Sequence, residues 1–346
     1  MPPAVERTSR PHPASPHRPF HIWNSHFRTW VSRPTLRVRS ANKEAHIMKN
    51  VVEPAGLHRG GNASPKPPRP ITSQEDRTRP YRIERPRLRD VLGDLRIPAK
   101  DLGPGDRPPA FDLPTTDGRR FSSAQFDGNG CPVLLVFGSL SCPVTESAGP
   151  GLVELHRRYG NAVRFVLVNV REAHPGELAP QPTSAEIKMR HAVRLRRHHG
   201  LPFETAVDDV DGTLHRAFGT RPSSAYLIDA DGTIRFRAHW SNVTDALDEA
   251  LSAIVKGQPI RKAVVGGTMR AMVKMTGHAP AAFASAGRGA MADTWRAAPP
   301  FAAMITVAGL LRSLPADRRG LPAMLVLAIA MIGFVAMATA AVVALS

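Results

Sequence analysis

The chain has 346 residues, a formal net charge of +17 and two cysteines, Cys131 and Cys142. Its length leaves room for two domains, yet a single segment carries strand and helix patterns that close on themselves. The cysteines are not spaced as CxxC, which excludes a dithiol exchange centre. No basic run with interleaved aromatic residues accompanies the charge, so nothing indicates a specific nucleic-acid site.

Residues 1–102 form a basic arm rich in proline and arginine, in which Lys and Arg outnumber Asp and Glu by 20 to 8 over residues 1–100. Such a segment has little apolar material to bury, which predicts disorder. Three interpretations stay open: a tether to anionic lipid or nucleic acid, a targeting peptide, or a partly untranslated stretch if Met48 is the true start. Its interspersed prolines argue against a helical transit peptide.

Residues 132–137 (PVLLVF) are an aliphatic run typical of a central strand that is covered on both faces. The run stops at Gly138, and the sequence from Pro143 to Tyr159 predicts a helix with proline in its first turn. Cys142 therefore falls at a helix N-terminus. Unpaired N–H groups and the positive end of the helix dipole stabilise a thiolate there.

The two cysteines lie at opposite ends of this predicted strand. A strand of that length separates them by roughly 25 to 35 Å, whereas a disulfide needs Cα atoms within about 7 Å. We therefore expect Cys142 to act as a single thiol, whose oxidised form is resolved by an external thiol or a second protein molecule. We expect Cys131 to be a small buried hydrophobic residue.

Residues 163–170 (VRFVLVNV) predict a second buried strand, and Glu172 and His174 follow it in a loop. If the two strands are parallel neighbours, their carboxyl ends lie together, and both side chains come within reach of the thiol. They would then serve as proton donor, base or orienting group. The alternative for His174 is a loop histidine on a solvated turn.

Together with the two strands and the helix described above, the remaining elements predict the order βαβ, then α, then ββα. They are helices at residues 184–198, 212–218 and 243–255, a strand near residues 203–207, and a hairpin over residues 226–236 that turns at Asp231-Gly232. His198-His199 is interpreted as a helix end, and Asp208, Asp209 and Asp211 as a loop. Because no CxxC or HxxxH spacing supports a metal site, we expect none.

Four segments together resemble one known family. They are GDRPPAFDLPTTDGRRFSSAQF, the strand ending FGSLSCP, VNVREAHPGE, and DDVDGTLHRAFGTRPSSAYLIDADGTIRFR. Over residues 103–256 they resemble the iodothyronine deiodinase-like group of thioredoxin-fold proteins. The lead-in is shared with peroxiredoxins and related thiol oxidoreductases, and the EAHP element is the more specific part. The resemblance implies an α/β thioredoxin-like fold, a central mixed sheet flanked by helices, over residues 103–257.

The resemblance also assigns site residues. Cys142 stands where the vertebrate deiodinases carry selenocysteine, Glu172 and His174 match the family's glutamate and histidine, and Pro222 matches a proline that is commonly cis and faces the reactive sulfur. The sequence departs from the family at two points. Cysteine is a less acidic and less polarisable nucleophile than selenocysteine, which leaves removal of iodine open. The family's Pro-Pro-Phe is here Pro143-Val144-Thr145.

Three further residues are candidate supports for the substrate or the thiolate. Ser139, where peroxiredoxins carry a threonine, would hydrogen-bond the thiolate or an oxidant, or would cap the strand. Ser141 lies directly before Cys142 in the same turn. Arg221 precedes Pro222 and would offer charge to an anionic substrate, or is a solvated turn residue.

The carboxyl end predicts a membrane anchor. Residues 321–345 are uncharged and span about 37 Å as a helix, against a hydrocarbon core of about 30 Å. Three arginines precede the stretch, which places the preceding domain on the cytoplasmic side: Arg312, Arg318 and Arg319. Residues 258–320 are expected to be a linker. Part of it would lie on the membrane surface, and residues 301–311 would be interfacial or packed on the anchor.

Together these features predict a membrane-anchored thiol oxidoreductase with a single nucleophilic cysteine, Cys142. Its substrate would be a halogenated aromatic compound, a peroxide or a disulfide. We expect no cofactor, and an external thiol or a thioredoxin-type protein as reductant. The alternatives are a one-cysteine peroxidase like the peroxiredoxins and a non-catalytic scaffold tethered to the membrane.

Overall fold

A six-stranded sheet forms the centre of the computed structural model, which describes residues 81–93, 95, 101–221 and 223–345. The strands are β1 (Asp112–Pro114), β2 (Arg120–Ser122), β3 (Val133–Gly138), β4 (Arg164–Asn169), β5 (Glu204–Val207), β6 (Ala225–Ile228), β7 (Ile234–Ala238) and β8 (Val264–Val265). The sheet has the order β5-β4-β3-β6-β7-β8, and β1 and β2 pair separately as an antiparallel hairpin.

Nine helices surround or follow this sheet in the described part of the chain. They are α1 (Leu88–Gly93), α2 (Pro143–Tyr159), α3 (Ala185–His199), α4 (Thr213–Phe218), α5 (Thr244–Val255), α6 (Met269–Ala286), α7 (Arg288–Ala297), α8 (Pro299–Leu310) and α9 (Ala316–Leu345). Strands β3, β4 and β5 run parallel, whereas β6 pairs antiparallel to β3 and to β7. This mixed sheet with helices on its faces is a thioredoxin-like α/β fold, as the sequence predicts.

Alternate residues of β3 supply two cores, because successive strand side chains point to opposite faces. Leu134 and Val136 pack with Leu152 and Leu155 of α2, on the face that also buries residues of α3 and α5. Val133, Leu135 and Phe137 pack on the other face, against α4 and the β1–β2 hairpin. Every residue of β3 is buried, which confirms the prediction of a central strand covered on both faces.

Most of the predicted element boundaries agree with the structure to within two residues. The hairpin between β6 and β7 turns at Asp231-Gly232, where Gly232 has φ +85°. Glycine suits that position because L side chains rarely adopt a positive φ. Ser184 caps α3, since its hydroxyl accepts a hydrogen bond from Ile187 N at 3.3 Å.

The predicted disordered arm lies mostly outside the described residues, and its last part is anchored to the domain. Tyr81 is buried, and its hydroxyl lies 2.8 Å from His215 Nδ1 and accepts a hydrogen bond from Arg171 N at 3.3 Å. A Cβ added at Gly212 would collide with this ring. Tyr81, near the end of the predicted arm, is therefore held by the domain.

The segment expected to be a linker, residues 258–320, is instead mostly helical. It contains β8, α6, α7 and α8, and α6 packs against the domain helix α2. Its alanines and methionines allow this close packing, and α6 buries a continuous row of small and apolar residues: Ala271, Met275, Ala279, Ala282, Phe283 and Ala286. We refer to α6, α7 and α8 as the helical cover.

The last helix, α9, is long and apolar enough over Ala316–Val343 to cross a membrane, and its apolar side chains are exposed rather than packed in the protein. Its beginning packs against α6 and α8 of the helical cover. Close contact is possible because Gly277 and Gly320 lie where side chains would collide with the backbone of the other helix. The contact between α8 and α9 agrees with the alternative in which residues 301–311 pack on the anchor.

Candidate active site

Cys142 lies between the end of β3 and the first turn of α2. It is the N-cap residue, with φ −91° and ψ 117°, and Pro143 is the first helical residue. The Cys142 carbonyl accepts a hydrogen bond from Glu146 N at 2.9 Å, and its N–H donates to Ser139 O at 3.3 Å. The thiol is therefore carried at the positive end of a 17-residue helix, the position predicted from the sequence.

The carboxylate of Glu172 holds the turn that precedes Cys142. Its Oε2 accepts hydrogen bonds from Ser141 N at 2.9 Å and from Ser141 Oγ at 2.6 Å. Its Oε1 lies 3.0 Å from Nδ1 of His191 on α3. Glu172 is only 1% exposed, so this carboxylate is satisfied by protein groups and fixes the turn from inside.

Two more hydrogen bonds join this turn to the loop after β4. His174 N donates to Ser141 Oγ at 3.1 Å, and Ala173 N donates to Ser139 Oγ at 3.3 Å. Both serines are buried. The parallel pairing of β3 with β4 thus brings the two loops together, as the sequence predicts, and the Ser139 hydroxyl is used by the backbone at the strand end.

The half-buried imidazole of His174 faces the helical cover. Its ring centroid lies 4.8 Å from that of Phe283 and 6.2 Å from that of Phe301. Burial, together with the positive charge of Arg171, lowers the pKa of His174 to about 4. His174 is therefore neutral at pH 7 and a weak base.

Cys142 is enclosed by apolar side chains and is only 3% exposed. Its neighbours form a third hydrophobic cluster, separate from the two cores of the sheet: Val144, Trp240, Ala271, Met275, Ala279, Phe283, Ala286, Ala290, Ala298, Phe301 and Ile305. Most of them belong to the helical cover. Exchange with an external thiol would require an accessible thiol at the sheet edge. In this conformation the Cys142 thiol is covered, because the segment expected to be a linker folds over it.

Trp240 gives the cluster a polar atom that the protein does not use. Its indole Nε1 is buried and has no hydrogen-bond acceptor among the described residues. A buried N–H without an acceptor is uncommon in folded proteins. The hydrophobic cluster that contains Cys142 thus also contains aromatic rings and one buried donor without an acceptor among the described residues.

His191 is the residue that sequence reasoning missed. It lies on α3 and faces Glu172, and one turn earlier on the same helix Lys188 is completely buried. Lys188 Nζ donates to Asp209 O, and burial lowers its pKa despite the neighbouring carboxylates of Asp208 and Asp209. The available signal was spacing: Lys188 and His191 share the helix face of Ala192 and Leu195, which is the buried one.

The structure locates Arg221 and corrects the prediction for Cys131. Arg221 donates through Nη1 to Gly93 O at 2.7 Å, and its Nε lies 3.8 Å from Asp101 Oδ2, so its charge is directed to the protein and not to solvent. Pro222 lies outside the described residues. Cys131 is exposed, which makes the expectation of a buried hydrophobic residue wrong, because it precedes β3 in a surface loop.

A second polar cluster lies one turn further along α2. Glu146 of this helix meets His198 and His199 at the end of α3, and the nearest donor atoms of all three lie within 4.8 Å of one another. Among the described residues, this is the set whose chemistry suits a metal ion. No metal site was expected from the sequence, because His198 and His199 are adjacent and Glu146 is more than 50 residues away.

One region of the chain matches a known protein family. Residues 104–237 match the model of the AhpC/TSA family. No curated protein sequence matches the chain. The matched region contains β3, α2, β4 and the hairpin of β6 and β7, so it includes Cys142 and the loop with Glu172 and His174.

Several solved structures resemble the chain weakly. An uncharacterized conserved protein from Geobacillus kaustophilus has 19% identity and a TM-score of 0.38, over 48% of this chain and 88% of the other. A putative thiol:disulfide interchange protein DsbE from Chlorobium tepidum has 21% identity and a TM-score of 0.36, over 44% and 99%. Peroxidoxin BcpB from Mycobacterium tuberculosis has 15% identity and a TM-score of 0.35, over 45% and 97%.

The family match and the strand order agree with each other. The match covers the part of the chain that forms the mixed sheet and its flanking helices, and it ends before the helical cover and α9 begin. The part of the chain that matches the AhpC/TSA family model is therefore the part that forms the thioredoxin-like fold.

Proposed function

We propose that the chain is a membrane-anchored thiol oxidoreductase in which Cys142 is the nucleophile. The observation that carries this proposal is the position of Cys142 as the N-cap of α2, with the turn before it held by the buried carboxylate of Glu172. A helix N-terminus stabilises the thiolate, which is the reactive form of cysteine. The match to the AhpC/TSA family supports the same reaction class.

In the proposed reaction, the Cys142 thiol gives up its proton, and the resulting thiolate attacks an electrophilic atom of the substrate. A sulfur–substrate bond forms while the bond to the leaving group breaks, and the leaving group keeps the electron pair and takes up a proton. One external thiol then displaces the transferred atom and leaves a mixed disulfide. A second external thiol releases Cys142, so the substrate is reduced and the external thiols are oxidised.

The surroundings of Cys142 favour an apolar, aromatic electrophile over hydrogen peroxide. Phe283 and Phe301 supply rings, Met275 supplies a polarisable side chain, and Trp240 Nε1 supplies one donor for a polar atom such as a phenol oxygen. A halogenated phenol has this composition, which is the deiodinase-like form of the proposal. Because Cys142 is buried, the substrate reaches it only when the helical cover shifts.

The reductant is proposed to be an external thiol. Cys131 is exposed in the loop before β3 and Cys142 is buried after it, so the whole length of the strand lies between the two cysteines. A disulfide between them would require the strand to come apart. The helix α9 is proposed to anchor the domain on the cytoplasmic side, since Arg312, Arg318 and Arg319 precede its apolar stretch.

The burial of Cys142 favours a second candidate, a non-catalytic scaffold tethered to the membrane. A cysteine packed in apolar surroundings behaves as a small hydrophobic residue, and its thiol pKa is not lowered by burial. The two candidates differ in one measurable property, the reactivity of this single sulfur.

Turnover by the full chain in detergent tests the proposal. Halogenated phenol, cumene hydroperoxide, hydrogen peroxide and a small disulfide are each supplied with excess dithiothreitol, and product formation is measured. Wild type and the control Cys131→Ser should turn over the same substrate, whereas Cys142→Ser should lose all enzyme-dependent turnover and keep its circular dichroism spectrum. Equal rates in Cys142→Ser and wild type, or no turnover of any substrate, would support the scaffold.

A further inference from the structure

The cluster of Glu146, His198 and His199 joins the helix of Cys142 to the end of α3. Glu146 Oε2 lies 2.9 Å from His198 Nε2 and 3.7 Å from His199 Nε2. Glu146 follows Cys142 by one turn, since its N–H bonds to the Cys142 carbonyl. Three potential ligand atoms from two helices therefore converge on one point.

One of these atoms lacks a hydrogen-bond partner. The side chain of His199 is only 5% exposed, and its Nε2 makes no hydrogen bond to any described residue. The carboxylate of Glu146, at 3.7 Å, is too distant for a hydrogen bond. A buried nitrogen directed at a carboxylate but not bonded to it is unexpected unless something else occupies the position between them.

The His199 ring packs directly against Gly149 of α2. A Cβ built at Gly149 would lie 2.6 Å from His199 Nδ1, so any side chain there would push the imidazole away. Glycine in a helix interior costs roughly 0.5–1 kcal/mol relative to alanine. At this position in α2, the absence of a side chain is what allows His199 to face Glu146.

We propose that Glu146, His198 and His199 bind a divalent transition-metal ion, with Zn²⁺ the best match to the donor set. Two imidazole nitrogens and one carboxylate oxygen are the three protein ligands of many zinc sites that keep a fourth position for water or another ligand. Ligands about 2.0 Å from a tetrahedral ion lie about 3.3 Å apart. The distances of 2.9 and 3.7 Å from Glu146 Oε2 are close to this value.

An ion at this site would affect the ionisation of the Cys142 thiol. A divalent cation one helical turn from Cys142 would neutralise the carboxylate of Glu146 and add positive charge near the sulfur. Nearby positive charge favours a thiolate. This consequence depends on the proposed function of Cys142, whereas metal binding itself does not, so binding is measured without any reference to activity.

Metal binding is tested on the full chain in detergent after dialysis against a chelator. Co²⁺ is titrated in while visible absorption is recorded, and Zn²⁺ is then added as a competitor. The ligand variants are Glu146→Gln, His198→Asn and His199→Asn. Glu154→Gln, an exposed carboxylate on the same helix, is the matched control. The other histidines of the chain give a background that all of these proteins share.

Wild type and Glu154→Gln should bind one equivalent at least tenfold more tightly than each ligand variant, with ligand-field bands and no sulfur-to-cobalt charge-transfer band. Gly149→Ala, which retains every ligand and displaces the ring, should weaken binding as well. Circular dichroism shows which variants keep the fold. Equal affinity in folded ligand variants and wild type, or a charge-transfer band that reports a cysteine ligand, would overturn the proposal.

Discussion

The carboxylate of Glu172 lies 3.0 Å from Nδ1 of His191, and it is this histidine that forms the acid–imidazole pair behind the candidate active site. His174, which the sequence pairs with Glu172, directs its ring to Phe283 instead. The glutamate therefore holds the turn before Cys142 through its hydrogen bonds with Ser141, and the two histidines have different surroundings.

Replacing His191 by Leu tests this pairing, because leucine has no hydrogen-bonding group. The change removes the partner of Glu172 Oε1 in the interior, and a buried group without its partner costs about 1–3 kcal/mol. The midpoint of urea unfolding should therefore fall, and alkylation of Cys142 should become faster because the turn that carries this buried thiol is held less firmly. Arg190→Gln, an exposed change on the same helix, should leave both measurements within error. A midpoint for His191→Leu equal to that of the control would contradict the pairing.

Phe283→Ala tests the helical cover. Removing a buried aromatic side chain costs about 3–5 kcal/mol, and here the loss falls on the contact between α6 and the cluster around Cys142. Iodoacetamide should modify Cys142 faster in this variant by tenfold or more, as read by mass spectrometry, whereas exposed Cys131 should react at the wild-type rate and serves as an internal reference. Met269→Ala, an exposed change on the same helix, is the matched control. Unchanged protection of Cys142 in folded Phe283→Ala would show that the cover does not control access.

His174 makes stability depend on pH. Its pKa falls from 6.5 in the unfolded chain to about 4 in the fold because the ring is buried. Between these values the unfolded chain binds a proton that the folded chain does not. The free energy of unfolding therefore decreases as the pH falls from about 6.5 to about 4 and is unaffected by this group above that window, with a total effect of at most about 3 kcal/mol.

The check is thermal unfolding in detergent between pH 7.5 and pH 4.5, with His174→Asn beside wild type. Burial also lowers the pKa of His199 to about 4, and that of His215 well below its ordinary value, so both add to the slope in the same direction. His174→Asn should therefore flatten the pH dependence without abolishing it. Identical slopes for the two proteins would show that this ring titrates as it does in the unfolded chain.

The fold was predictable because its signals are local. The aliphatic run of β3, the proline at the start of α2 and the Asp231-Gly232 turn each specify their own element, and the order of elements then specifies the sheet. The position of Cys142 follows from the same signals. Its exposure does not, because exposure depends on what packs against the N-terminus of α2 from more than a hundred residues away in the chain.

The helical cover was missed because its sequence has an ambiguous composition. Residues such as Ala271, Ala279 and Ala286 have small side chains. Single glycines and scattered basic residues interrupt the pattern, so hydrophobic periodicity is weak. Their burial arises when α6 meets α2 and α9, and it is a property of the tertiary structure. His191 was missed for a related reason, since a histidine in an arginine-rich helix looks solvated until the buried face is known.

The apolar surface of α9 tests the membrane anchor. Ile329 and Phe334 are exposed in the apolar stretch, and replacing both by Arg should cost about 5–7 kcal/mol of insertion free energy, at about 2.5–3.5 kcal/mol for each charge at the centre of a spanning helix. The double variant should move from the carbonate-resistant membrane pellet to the soluble or aggregated fraction. Leu310→Arg, which is equally exposed but lies on α8 before the spanning stretch, should remain in the pellet. If the double variant also remained in the pellet, α9 would be a helix that packs against protein. That result would contradict the membrane anchor in the proposed function.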